Sequence, residues 1–153
     1  MTRRVTVRGL IIKDNTLFGV RHKKSDGTPK SFWCTPGGGL NPKESLLDGV
    51  SRELIEETGV TPRVGKLLLI QQFSSLEVHP EYEHDEELEF FFHVENSEDF
   101  ETIDLSATTH GEIEIAEHGF VDPKEVTFLP KILQTIDLSE LVTKNSPVIS
   151  SEL

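Results

Sequence analysis

The order of hydrophobic patterns along the chain predicts an α/β protein, with a mixed β-sheet sandwiched between helices in an α/β/α layering. Three observations carry this expectation. Alternating or short apolar segments with strand character recur at residues 4–21, 64–73, 88–94 and 112–121. One long helical pattern occupies residues 42–58, between the first and second of these. A second helical pattern, at 130–142, follows the last of them.

Val5, Val7 and the run Leu10-Ile11-Ile12 read as a strand, Asp14-Asn15 as a turn and residues 17–20 as the return, so 4–21 is expected to form a hairpin. Residues 22–31 hold His22, Lys23, Lys24, Asp26-Gly27 and Pro29, which is loop chemistry. Pro36-Gly37-Gly38-Gly39 lets the backbone turn sharply or come close to another group. The helix at 42–58 starts with Asn41 as cap, Pro42 at the first position and Glu44 placed for a capping box. Leu46, Leu47, Val50 and Leu54 recur at helical spacing, and Gly59 supplies the stop. Strands follow at 64–73 and 88–94, joined by an acidic loop over 77–87 that carries His79 and His84. The segment EIEIAEHGFV at 112–121 alternates as a strand, and Asp122-Pro123-Lys124-Glu125 repeats helix-start chemistry. One domain over residues 1–145 and a polar, frayed tail over 146–153 are expected.

Composition narrows the function classes. A length of 153 residues suits a single core. The net charge of −12 argues against a duplex nucleic-acid partner, which requires a basic face. It leaves room for small nucleotides bound through divalent cations. Cys34 is the one cysteine, so no intramolecular disulfide forms. No segment approaches the ~20 apolar residues of a membrane span, and Lys13 interrupts the only early apolar run. No membrane association and a cytoplasmic location are the expectations, and a homodimer stays open.

The sharpest signal is RELIEETGV at 52–60. At about 100° per residue, Glu57 lies about 40° to one side of Glu53 and Glu56 about 60° to the other. The three carboxylates therefore share one flank, bordering the apolar arc of Leu46, Leu47, Val50 and Leu54. Like charges at this spacing repel, and more strongly where water is scarce. Gly49 and Ser45 on the same flank are read as leaving open space, since Gly costs about 1 kcal/mol in a helix relative to Ala. A hard divalent cation resolves the conflict because it needs several oxygen ligands; a solvated acidic face is the competing reading.

Gly38, Glu44 and the run at 52–60 together resemble the complete signature of the Nudix hydrolases, with every fixed position filled across residues 38–60. The lead-in Trp33-Cys34-Thr35-Pro36-Gly37-Gly38 and the later Asp122-Pro123-Lys124-Glu125-Val126 also resemble that family. The resemblance implies a Nudix-type α/β/α sandwich with a mixed sheet, and hydrolysis of a diphosphate linkage in a nucleoside diphosphate joined to another group, with Mg²⁺ or Mn²⁺. It implies Glu53, Glu56 and Glu57 as metal ligands, joined by the Gly38 carbonyl. Arg52 would hold a glutamate by ion pairing, Glu44 would brace the helix start, and Glu53 or a later glutamate would take the proton from water. Markers similar to those of ADP-ribose, diadenosine polyphosphate, NADH and coenzyme A hydrolases are absent, which leaves a nucleoside triphosphate or related nucleotide. The alternative is a Nudix-fold module that senses a nucleotide without cleaving it, against which the intact glutamate set argues.

Further candidates come from position. Arg21 heads the densest basic patch, with His22, Lys23 and Lys24, and is the candidate to contact substrate phosphate because the strand fixes it, with solubilising charge on a loop as an equally weighted competing reading. In EIEIAEHGFV the alternation puts Ile113 and Ile115 on the core face and Glu112 and Glu114 on the other. Continuing that parity turns Glu117 inward, so Glu117 rather than Glu114 is expected to complete the site as metal ligand and catalytic carboxylate, with a strand-end ion pair as the competing reading. Trp33 reads as a core plug beside the glycine loop, with base stacking the less favoured role, and Cys34 as a small buried residue.

Overall fold

A computed structural model of the chain describes residues 2–74 and 85–153. Its strands are β1 (Arg3–Leu10), β2 (Ile12–Lys13), β3 (Thr16–His22), β4 (Gly37–Gly39), β5 (Val64–Ser74), β6 (Glu86–Val94), β7 (Ile115–Val121) and β8 (Val148–Glu152). The helices are α1 (Leu46–Thr58), α2 (Gly111–Glu114) and α3 (Leu138–Thr143), with short 3-10 turns between them. One sheet has the order β4-β1-β6-β5-β8 and is mixed: β1 runs parallel to β6 and β5 to β8, while the other pairs are antiparallel. A smaller sheet has the order β2-β3-β7.

Alternation along the strands feeds two cores, one on each face of the larger sheet. Val7, Ile11, Phe92 and Val94 pack with Val50 and Leu54 of α1. Leu10, Leu69 and Phe91 pack on the opposite side with Leu133, Leu138 and Leu141 around α3. Each such side chain, removed from water, contributes about 1.5–3 kcal/mol. Within the described residues no helix is long and apolar enough to cross a membrane.

Several expected elements are redrawn. The segment 4–21 is not one hairpin: β1 joins the larger sheet, and only β2 and β3 fold back on each other across Asp14 and Asn15. Helix α1 begins at Leu46, because Lys43 has φ 65° and cannot be helical; Ser45 is the cap, accepting a hydrogen bond from the Asp48 N–H at 3.1 Å. Gly59 (φ 76°) closes the helix as expected. Leu47 lies outside the core, 53% exposed. Gly49 opens no space: a Cβ there would come within 2.5 Å of Leu40 and 3.1 Å of Glu44, so its role is close packing against the chain leading into α1. The helix expected over 130–142 breaks into a 3-10 turn at Lys131–Gln134 and α3, restarted by Asp137, which accepts from the Ser139 and Glu140 N–H groups. The tail expected to fray supplies β8, whose backbone satisfies the outer edge of β5. The acidic loop over 77–87 falls largely outside the described residues.

The strand expected over 112–121 starts only at Ile115. Before it, residues 108–114 dock on the C-terminal end of α1, where carbonyls lack partners inside the helix. The His110 N–H donates to the Glu56 carbonyl at 3.0 Å, and Gly111 lies so close to the Glu57 carbonyl that a Cβ would overlap it. Ile113 is consequently 73% exposed rather than on a core face. Replacing Gly111→Ala is expected to destabilise the protein by about 1–3 kcal/mol, read from urea unfolding, because the obstruction is backbone that cannot rotate away.

Candidate active site

Glu53, Glu56 and Glu57 leave the last turns of α1 and meet at the wall of a cavity of about 780 Å³. The cavity is bounded by that helix end, β4, the loop after β3, α2, and side chains of β1 and β6. Glu57 is the most deeply placed of the three, 2% exposed, and its Oε2 accepts from the Gly37 N–H at 3.2 Å. Glu53 faces β4 so closely that a Cβ on Gly38 would lie 2.7 Å from its carboxylate and displace it. Burial, reinforced by the neighbouring Glu57 and Glu56 charges and opposed by Arg52, pushes the Glu53 carboxyl above its ordinary range.

Arg52 is the local counterion. Its Nε and Nη2 engage both oxygens of Glu44 at 2.7 and 2.9 Å, and Nη2 also donates to the Gly39 carbonyl at 3.0 Å. Its Nη1 reaches Glu53 Oε1 at 2.9 Å and Glu56 Oε2 at 3.2 Å. Hydrogen bonding from Arg52, then from the Asn41 N–H, draws the Glu44 carboxyl down to about 2. Glu44 thus ties the glycine strand's exit to the helix, through Arg52 on one side and Asn41 on the other.

Two histidines flank the glutamates. His110 Nδ1 lies 3.1 Å from Glu56 Oε2. His22 Nε2 lies 3.8 Å from Glu57 Oε1, while its Nδ1 sits 3.5 Å from the Cys34 sulfur. Burial alone would lower the His22 imidazole, but its contacts with Cys34 and Glu57 outweigh it and raise the group to about 10.

The structure corrects two expected site residues. Glu117 does not reach the glutamates: it sits on β7 opposite Arg21, exposed, with Arg21 Nη1 donating to its Oε2 at 2.8 Å. The parity that turned it inward fails because the β3–β7 register shifts between Arg21 and His22. Arg21 is spent on that pair and on the Lys30 carbonyl, and neither residue lines the cavity. Glu114, passed over in favour of Glu117, lines the cavity instead, and with His22 and Glu57 offers ligand atoms all within 4.8 Å of one another. The rest of the basic patch, His22, Lys23 and Lys24, also lines the cavity. Trp33 packs in the second core with Phe128, and the aromatic rings on the cavity wall are Phe32 and Phe73.

The far wall was not foreseen. Parallel pairing of β1 with β6 sets Arg4 opposite Glu87 and Thr6 opposite Glu89. Arg4 Nη1 pairs with Glu87 at 3.0 Å, and Arg8 pairs with Glu89, which also accepts from the Thr6 hydroxyl at 3.1 Å. Both glutamates are nearly fully buried. Only the strand register could reveal these partners, which lie far apart along the chain.

The sequence matches the family model for the NUDIX domain over residues 2–140. The chain belongs to the NUDIX family. It is 38% identical over 64 residues to an ADP-ribose pyrophosphatase of Methanocaldococcus jannaschii, covering 42% of this chain and 37% of that one. It is 42% identical over 55 residues to an RNA pyrophosphohydrolase of Zymomonas mobilis, covering 36% of this chain and 34% of the other. The matched segments thus span about a third of those relatives. The solution structure of the E. coli ORF135 protein superposes with a TM-score of 0.65 at 19% identity, over 94% of this chain and 93% of that one, a likeness of fold.

Glu44 provides a pH test of the Arg52 anchor in metal-free protein. A carboxyl depressed from 4.5 to about 2 stabilises the fold above its unfolded value, and that contribution disappears as pH falls through about 2. Glu44→Gln is therefore expected to melt below wild type at pH 7, with the gap closing between pH 4 and pH 2 in thermal melts.

Proposed function

We propose that this NUDIX-family protein is a metal-dependent hydrolase that cleaves a diphosphate linkage in a nucleoside diphosphate-X substrate, such as a nucleoside triphosphate or related nucleotide. The observation that carries the reading is the convergence of Glu53, Glu56 and Glu57, with Arg52, on a cavity whose rim carries Lys23, Lys24 and Lys30. The two relatives named as pyrophosphate-cleaving enzymes support it over their matched segments.

The donor set fits a hard dication. Three carboxylates crowd one helix end, one of them almost wholly buried, and Arg52 is shared among Glu44, Glu53 and Glu56. Glu53, Glu56, Glu57 and the Gly38 carbonyl would hold Mg²⁺ or Mn²⁺. Such an ion, when bound, offsets phosphate charge and lowers the pKa of a coordinated water. The lysine rim neutralises the rest of the phosphate chain, and Phe32, Phe73 and Pro130 offer the base an apolar wall. Glu53 is the candidate to accept a proton from water, because burial raises its proton affinity while Arg52 fixes its orientation. Glu114 takes the place in the site that parity assigned to Glu117.

The test is incubation with Mg²⁺ or Mn²⁺ and a panel of triphosphates, dinucleotides, ADP-ribose and nucleotide sugars, following phosphate and pyrophosphate release. Turnover is expected on at least one member and none in EDTA. Bound nucleotide without turnover across the panel would move the reading to a sensor. Glu56→Gln and Glu57→Gln are each expected to lower kcat by roughly 10²-fold or more while the fold is kept. Glu117→Gln is expected to leave kcat near wild type and Glu114→Gln to lower it at least tenfold; the reverse order would return Glu117 to the site.

A further inference from the structure

We infer that His22, Glu57 and Glu114 form a separate subsite for a borderline first-row dication such as Co²⁺ or Zn²⁺, distinct from the all-oxygen Glu53–Glu56 side of the cluster. The inference goes beyond the hydrolase reading: it shares Glu57 and Glu114 with it, and adds His22 as a ligand and a different class of metal.

The residues come from three parts of the fold, and each is oriented by something other than its fellow ligands. Glu57 spends Oε2 on the Gly37 N–H, and no donor among the described residues reaches Oε1 within hydrogen-bond distance. That leaves a charged oxygen on a side chain 3% exposed, aimed at His22. His22 Nδ1 lies 3.5 Å from the Cys34 sulfur and Nε2 is the ring atom turned toward Glu57 at 3.8 Å, so an ion bound in place of the Nε2 proton would leave Nδ1–H facing that sulfur. A backing group on the second ring nitrogen is how metal-binding imidazoles are usually held. Glu114 is delivered by its backbone: its carbonyl accepts from the Lys23 N–H at 2.8 Å, its own N–H donates to the His110 carbonyl at 2.9 Å, and Gly111 seats the turn on α1. The ligand atoms all lie within 4.8 Å of one another, and bonds of about 2.0–2.2 Å to one ion require donors no more than about 4.0–4.4 Å apart, so a small side-chain adjustment brings all three onto one ion.

Donor chemistry selects the metal. Mg²⁺ favours oxygen and keeps much of its water, whereas imidazole nitrogen favours the later first-row dications. One neutral imidazole with two carboxylates leaves further positions for water or a phosphate oxygen.

Co²⁺ is the probe, added at one equivalent to the metal-free full chain without substrate. High-spin Co²⁺ on Nε2 throws the imidazole Nδ1–H far downfield in the proton NMR spectrum as a resonance that vanishes in D₂O. That resonance is expected in wild type, to persist with excess Mg²⁺ and in His110→Gln, and to be lost in His22→Gln. Glu114 is exposed, so Glu114→Gln keeps the fold if His22→Gln does not; its Co²⁺ affinity by calorimetry is expected to fall at least about tenfold. Absence of the resonance in Co²⁺-loaded wild type, its loss in His110→Gln alone, or unchanged affinity in Glu114→Gln would overturn the subsite. Mg²⁺-dependent turnover without the resonance would leave the hydrolase reading standing, and the resonance without turnover would leave the subsite standing.

Discussion

Packing Glu53, Glu56 and Glu57 onto one helix end, with Glu57 almost out of water, is the constraint that the rest of the structure answers. A buried carboxylate costs several kcal/mol unless hydrogen-bonded or paired. The local structure supplies those partners piece by piece: Gly37 gives an N–H, Arg52 bridges three glutamates, and the two histidines stand at Glu56 and Glu57. The glycine strand β4 serves the same end by bringing bare backbone against Glu53, where any side chain would collide.

Partners for α1 also determine the path of the later chain. The helix ends in carbonyls that need donors, and the His110 N–H and the Thr109 hydroxyl supply them at Glu56. That docking converts what alternation reads as strand into a helical turn, exposes Ile113 and carries Glu114 beside His22. One local requirement, satisfying a helix C-terminus, thereby decides which glutamate enters the cavity.

The opposite wall follows from a different rule. Side chains of β1 and β6 alternate between faces, so Arg4, Thr6 and Arg8 share a side with Glu87 and Glu89 once the strands pair in parallel. Burial opposes the charge on Arg8, and Glu89 together with Cys34 and Glu87 outweighs it. Salt bridges of this kind contribute little net stability against apolar alternatives, yet removing one partner is expensive. They line the cavity with fixed charge beside the apolar rings of Phe32 and Phe73.

The sequence by itself determined the layering, the central helix and its glutamate set, because these are written in short-range periodicity and in the spacing of residues 38–60. It could not separate Asn41 from Ser45 as the cap, since both residue types cap and only the positive φ at Lys43 rules the first out. It also misjudged residues 146–153, whose polar composition suits an edge strand that needs only β5's backbone for its partner. The tertiary structure alone decided between Glu114 and Glu117, and the pairing of Arg8 with Glu89. Parity runs along a strand only while its register is unbroken, and the shift between Arg21 and His22 breaks it. Register itself is a contact between distant segments, with an energy that no window of local sequence contains.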